Sequence, residues 1–143
     1  MENAKADDRQ WMTQRVRMDL QYASAQIAPL RRVVSAHLEL WGLDGVADAW
    51  TLIASELCSN VRHVEDPAYM LTLSRTGSDV RIEVRDASTA LPELPAGPPD
   101  FLDVGGRGLF LVVSLADRAG VTPLADGKII WAECSASASR EVR

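Results

Sequence analysis

Three polar side chains recur at helical spacing within residues 49–63, AWTLIASELCSNVRH. Glu56, Asn60 and His63 lie one turn apart along one side of the predicted helix. The stripe beside them is apolar: Val46, Trp50, Ile53, Leu57 and Val61. A carboxylate at this border of the buried face could accept a proton from an attacking hydroxyl or water, and an amide oxygen could bind magnesium that carries phosphates. The alternative interpretation is a solvated polar edge of an amphipathic helix.

Asp86 is a second candidate, at the end of a predicted strand. The apolar residues Val80, Ile82 and Val84 alternate with charged ones, and Asp86 is in phase with the apolar set. The pattern therefore predicts a carboxylate on the buried side of the sheet, where it needs hydrogen-bond donors. The exocyclic amine of a purine is a suitable donor. The alternative is a carboxylate that caps backbone N–H groups where the following loop begins.

A glycine-rich turn, Gly105-Gly106-Arg107-Gly108, comes directly before a predicted helix. Glycines let the backbone approach a ligand, and the free N–H groups of a helix start attract phosphate. Arg107 adds a fixed positive charge with several donors. Many such turns only join a loop to a helix, so anion binding and a simple connection both remain open at this point.

The hydrophobic pattern predicts the elements that position these groups. They are a strand at 15–22, helices at 24–41 and 46–64, a hairpin of strands at 69–75 and 80–86, a helix from 108 to 115 or beyond, and a hairpin of strands at 121–124 and 128–134. Gly120 is expected to follow the third helix. This order predicts an α+β fold, a two-layer sandwich with helices on one face of a mainly antiparallel sheet.

The longest stretch without periodicity, residues 87–106, contains prolines that forbid regular structure through most of it: Pro92, Pro95, Pro98 and Pro99. In a compact domain such a loop is a lid, a binding loop or a disordered segment. Phe101 and Leu102 are expected to pin it down at one point.

Length and composition predict one globular domain in 143 residues, over 14–135, with a disordered leader at 1–13 and a disordered tail at 136–143. The net charge of -5 argues against nucleic acid as the main partner. The two cysteines, Cys58 and Cys134, lack metal-ligand spacing and are expected to be small buried residues in a reducing compartment. With no apolar run of membrane-spanning length, we expect a cytoplasmic protein that does not bind membranes.

Three segments in this order resemble a known superfamily: ELCSNVRH, VRDASTALP and GGRGLFLV. They are similar to the N-box and the two glycine boxes of the GHKL (Bergerat-fold) ATPases. The resemblance is closer to the small single-domain anti-sigma-factor serine kinases of Gram-positive bacteria and their actinobacterial relatives. It covers roughly residues 16–133 and implies a histidine-kinase-type ATPase fold with ATP and magnesium as cofactors.

The resemblance implies a division of labour among the candidate residues. Glu56 would be the general base for a serine hydroxyl on a partner protein, and Asn60 would hold magnesium. Asp86 would bind the adenine amine, and the loop up to Gly106 would be the ATP lid. The nucleotide contacts after the lid would come from Gly106, Arg107, Gly108 and Leu109, with Arg107 near the transferred group or a partner. The implied partners are a sigma factor and an antagonist protein, and homodimer formation is common in the family.

The chain departs from the family pattern in two places. His63 follows Asn60 one residue too early, which removes the basis for assigning it a role. The first glycine box, ideally Asp-x-Gly-x-Gly, reads Asp86-Ala87-Ser88-Thr89-Ala90, without either glycine.

Three hypotheses follow from the residues and the resemblance. The first is an ATP-binding anti-sigma factor that phosphorylates an antagonist on Ser or Thr. The second is a non-catalytic protein-binding module with a degenerate nucleotide site, which the missing glycines favour. The third is an independent small-molecule enzyme with Glu56 as general base, and it is disfavoured because no second catalytic acid or nucleophile occurs at a compatible place.

Overall fold

A computed structural model describes residues 13–95 and 107–135 of the chain. Its strands are β1 (Thr13–Gln21), β2 (Ala68–Thr76), β3 (Asp79–Asp86), β4 (Arg118–Leu124) and β5 (Gly127–Ser135), and its α-helices are α1 (Ile27–Leu40), α2 (Ala47–Ser59) and α3 (Arg107–Leu115). Short 3₁₀ turns occur at Ser24–Gln26, Asp44–Val46 and Asn60–His63. The predictions for residues 1–12, 96–106 and 136–143 lie outside the described residues.

The strands form a five-stranded sheet in the order β1-β2-β3-β5-β4, and each neighbouring pair among the described strands is antiparallel. β2 and β3 make one hairpin, and β4 and β5 make the other. The second hairpin joins the sheet through β5, which places β5 directly beside β3. Asp86 at the end of β3 therefore lies between Tyr69 on β2 and Lys128 on β5.

The core lies between the sheet and the helices, because both carry apolar residues at the period of their own backbone. On β3, Val80, Ile82 and Val84 are buried, whereas the charged residues between them are partly or fully exposed. On α1 the buried residues recur every fourth position: Leu30, Val34 and Leu38. α2 is buried over more of its surface: Ala47, Trp50, Ile53, Ala54, Ser55, Leu57 and Cys58. The predicted α+β sandwich with helices on one face of the sheet is confirmed.

The second predicted helix differs in its last turn. The α-helix ends at Ser59, and residues Asn60–His63 form a 3₁₀ turn, so the helical repeat changes from 3.6 to about three residues per turn after Ser59. The stripe Glu56, Asn60, His63 therefore does not continue along one straight α-helical face. The helix predicted over 46–64 is present, as an α-helix over Ala47–Ser59 followed by a 3₁₀ turn over Asn60–His63.

Gly120 lies inside β4, and the prediction that this strand begins at residue 121 is wrong. β4 starts at Arg118, opposite Glu133. A Cβ at Gly120 would approach Cζ2 of Trp131 to 2.5 Å. The glycine is required because the Trp131 ring lies over it, on the sheet face away from the helices, with the Arg81 guanidinium 4.5 Å from the ring centre.

The described part of the long loop, residues 87–95, contains neither helix nor strand. Leu94 packs against the core and holds this part of the loop to the domain. Phe101 and Leu102, the predicted anchors, lie outside the described residues.

Candidate functional site

The Glu56 carboxylate lies against the first turn of α3. A Cβ placed on Gly108 would be 2.6 Å from Oε2 of Glu56, so the glycine's lack of a side chain makes room for the carboxylate. The first N–H groups of a helix have no partner within the helix and carry partial positive charge. The structure thus brings Glu56 to the helix start that the glycine-rich turn precedes.

Asn60 caps the C-terminus of α2, one turn after Glu56. Its backbone N–H points back to the carbonyls of Glu56 and Cys58, and its side chain is partly buried. Within residues 13–95 and 107–135 no cluster of three or more His, Cys, Asp and Glu side chains could hold a metal ion. An amide oxygen here suits a magnesium ion whose other ligands are phosphates and water.

The C-terminal end of α2 packs over the end of the sheet that carries Asp86. The Cys58 side chain is hydrogen-bonded to Tyr69, whose Cα pairs with that of Asp86 in the sheet register. Burial raises the pKa of the Cys58 thiol to about 12, although the Tyr69 hydrogen bond offsets part of this shift. Burial likewise raises the pKa of Tyr69 well above its ordinary value. Both groups are therefore neutral at physiological pH.

Asp86 is buried, as its phase in β3 predicts, with 4% of its surface exposed. Its Oδ1 accepts a hydrogen bond from the Lys128 ammonium at 2.9 Å and another from the Ser88 backbone N–H at 2.9 Å. The second bond is the loop-entry cap that the alternative interpretation of Asp86 expects. The first is an ion pair whose side chains are 1% and 4% exposed.

Sequence reasoning missed Lys128, although a signal for it exists. On β5, Lys128 is in phase with the buried residues Ile130, Ala132 and Cys134, as Asp86 is in phase with the apolar residues of β3. Two opposite charges in the buried phase of adjacent strands indicate a buried ion pair once the strand order is known.

Gly127 explains why the two charges come so close. A Cβ at this position would be 2.0 Å from the backbone oxygen of Asp86. Only glycine allows β5 to begin directly against the end of β3, and the next residue, Lys128, then lies opposite Asp86.

The structure describes the remaining predicted site residues only in part. Arg107 begins α3, and its side chain lies outside what the structure describes, as does that of His63. Gly106 is outside the described residues. Leu109 is buried in the hydrophobic core with 6% of its surface exposed.

The sequence of residues 20–133 matches the family model for the histidine kinase-like ATPase domain, and the chain belongs to this family. Glu56, Asp86 and Gly108 all lie within the matched range. No curated protein matches the chain. Among the described residues no helix is long and apolar enough to cross a membrane.

The two ends of the site fit a nucleotide differently. At the α3 end, Glu56 and the start of a helix next to a glycine suit phosphate chemistry. At the β3 end, the carboxylate expected to receive a base amine already accepts hydrogen bonds from Lys128 and Ser88. The chain belongs to a histidine kinase-like ATPase family; the start of α3 suits a phosphate, whereas Oδ1 of Asp86 already accepts two hydrogen bonds from protein groups.

Proposed function

We propose that the chain is an ATP-binding regulatory protein that sequesters a sigma factor and phosphorylates an antagonist protein on Ser or Thr. The observation that carries this proposal is the contact between Oε2 of Glu56 and Gly108 at the start of α3. It puts a proton acceptor beside a group of N–H donors, the two functions that transfer of a phosphoryl group to a hydroxyl requires.

Each residue has a limited task in this proposal. Glu56 accepts the proton of the partner's hydroxyl as its oxygen attacks. The backbone N–H groups at the start of α3 bind phosphate oxygens and hold the transferred group in line. Asn60 holds magnesium, and ATP with magnesium supplies the phosphoryl group when bound. Homodimer formation, as is common in the family, is part of the proposal and would use a self-complementary surface.

The test is the variant Glu56→Gln, which keeps the shape of the side chain and removes its basicity. We expect it to bind magnesium-ATP as the wild type does, because Glu56 contacts the reacting hydroxyl and not the base. Phosphate transfer to an antagonist protein of the same organism should fall by roughly 10²–10⁴-fold, the usual contribution of a general base. Calorimetric titration with magnesium-ATP and ADP measures binding, and mass spectrometry of the antagonist measures transfer. A wild-type protein whose melting temperature does not respond to millimolar ATP would contradict the proposal.

A second candidate function is a non-catalytic protein-binding module with a degenerate nucleotide site. The Asp86–Lys128 ion pair favours it, because both bonds found on Oδ1 of Asp86 come from the protein itself. The absence of glycines at Ala87-Ser88-Thr89-Ala90 points the same way. A complex with the sigma factor that forms equally with and without ATP, and an antagonist left unphosphorylated, would select this function over the kinase.

A further inference from the structure

The Lys128 side chain is buried beside Asp86, the residue that would bind the base in the proposed function. Its Nζ is 2.9 Å from Oδ1 of Asp86, and the two side chains are 4% and 1% exposed. Lysine is almost never buried to this degree unless its charge is paired. Among residues 13–95 and 107–135 the buried polar side chains are Ser55, Asp86 and Lys128. The ion pair is therefore a fixed part of the fold and not a surface contact.

The ammonium group makes the kind of contact that the amino group of a purine would make. Both are N–H donors, and the Asp86 carboxylate is the acceptor. A charged donor forms a stronger bond to a carboxylate than a neutral amine does. Lys128 is also attached to the strand next to Asp86, so its ammonium is always present at high local concentration. A base that enters this end of the site must displace this stronger, tethered donor from Oδ1 or use Oδ2, the other oxygen of a carboxylate whose charge Lys128 already compensates.

We infer that Lys128 is an internal competitor for the nucleotide base at Asp86 and makes nucleotide binding depend mainly on the phosphates. The inference rests on the proposed function, in which Asp86 faces the base. It predicts a property that the fold does not otherwise imply. The wild-type protein discriminates poorly between ATP and GTP, because the group that would read the base is already bonded to Lys128.

The backbone around the pair supports this role. Gly127 lets the start of β5 lie against the carbonyl of Asp86, which keeps the Lys128 backbone directly opposite that of Asp86. On the other side, the Ser88 N–H also donates to Oδ1. The carboxylate is held between the two donors with its charge already compensated.

The experiment compares magnesium-ATP and magnesium-GTP binding to the wild type and to Lys128→Thr by calorimetry. Threonine suits a strand and removes the ammonium group. We expect Lys128→Thr to bind ATP at least about tenfold more tightly than the wild type, and to prefer ATP over GTP by about tenfold where the wild type shows little preference, as one recovered hydrogen bond to a charged group allows. Lys128→Arg is the matched control, since it keeps a charged donor at this position and should bind both nucleotides as weakly as the wild type.

Lys128→Thr leaves a buried carboxylate without its cation, which destabilises the protein. Lys128→Gln is therefore the second variant. Its neutral amide can still donate to Asp86, and it should show a smaller gain in ATP affinity than threonine. The melting temperature of each variant without nucleotide shows that it is folded.

The outcomes separate this inference from the proposed function. Tighter ATP binding by Lys128→Thr supports the inference even if the wild type transfers no phosphate, a combination that selects the non-catalytic module. Weaker ATP binding by folded Lys128→Thr overturns the inference, because the lysine is then a contact for the nucleotide, and leaves the kinase proposal standing. No nucleotide binding by the wild type or by any folded variant overturns both.

Discussion

The candidate site has one carboxylate at each end, Glu56 and Asp86, and the two differ in burial and in their charged partners. Glu56 lies beside Gly108 at a helix start and forms no ion pair among the described side chains. Asp86 is buried and compensated by the protein's own lysine. A carboxylate that must exchange protons has to stay free of a permanent cation, whereas a buried one without a cation would destabilise the fold. Two carboxylates in one candidate site therefore differ in burial and in their partners.

The largest effect we expect comes from breaking the buried pair. Lys128→Ala leaves Asp86 buried without its cation and should lower the free energy of unfolding by about 3–5 kcal/mol. The matched control is the exposed pair of Arg85 and Asp126, whose side chains are 45% and 77% exposed at 3.2 Å. Asp126→Ala should cost less than about 1 kcal/mol. Urea denaturation measures both.

The double variant Asp86→Leu with Lys128→Met isolates the electrostatic part of this loss. It replaces both charges by apolar side chains and should recover most of the stability, because it leaves no unpaired charge. Equal losses for the buried and the exposed single variants would show that the Asp86–Lys128 pair does not stabilise the fold more than a surface contact.

A smaller effect separates the two glycines that serve the two ends. In Gly127→Ala the new Cβ meets the backbone oxygen of Asp86 at 2.0 Å, and backbone moves only with its strand. We expect a loss of about 1–3 kcal/mol or more of unfolding free energy. In Gly108→Ala the Cβ meets the end of the flexible Glu56 side chain, which can rotate away. The stability of that variant should change by less than about 1 kcal/mol, since alanine also favours the helix.

If the proposed function is correct, Gly108→Ala reduces phosphate transfer more than Gly127→Ala does, the reverse of their effects on stability. Gly108→Ala displaces the general base and should reduce phosphate transfer strongly while the protein stays folded. A near-native melting curve together with lost phosphate transfer would identify the α3 end as the catalytic one. A Gly108→Ala protein with undiminished transfer would contradict the assignment of Glu56.

Features that follow from a pattern within one segment could be predicted from the sequence. Contacts that depend on the order of strands in the sheet could not. The fold class and the burial of Asp86 follow from period-two and helical patterns within single segments. The partner of Asp86 does not, because Lys128 lies 42 positions away and is adjacent only through the β3–β5 pairing. The 3₁₀ turn at Asn60 was also not predictable, since the residues Asn60–His63 continue an α-helical pattern and leave it only in the structure.

The smallest effect we expect concerns the thiol of Cys58, on the last turn of α2. Cys58 is fully buried and hydrogen-bonded to Tyr69, and burial raises its pKa to about 12, so the thiol is protonated and unreactive in the native state at neutral pH. A thiol reagent reaches it only when this end of the domain opens. Lys128→Gln, whose amide still donates to Asp86, should accelerate its labelling by about tenfold, the factor for a local loss of about 1.4 kcal/mol. Peptide mapping of the labelled protein over time gives the rate at each cysteine.

Cys134 provides the internal control, because it is also a buried cysteine and lies on β5, six positions from Lys128. It pairs with Val80 at the opposite end of β3 from Asp86. If the base end opens as a unit, the rate at Cys58 rises and the rate at Cys134 stays near its wild-type value. Equal acceleration at both thiols means that the variant unfolds globally, and the ion pair then stabilises the whole sandwich and does not close one end of it.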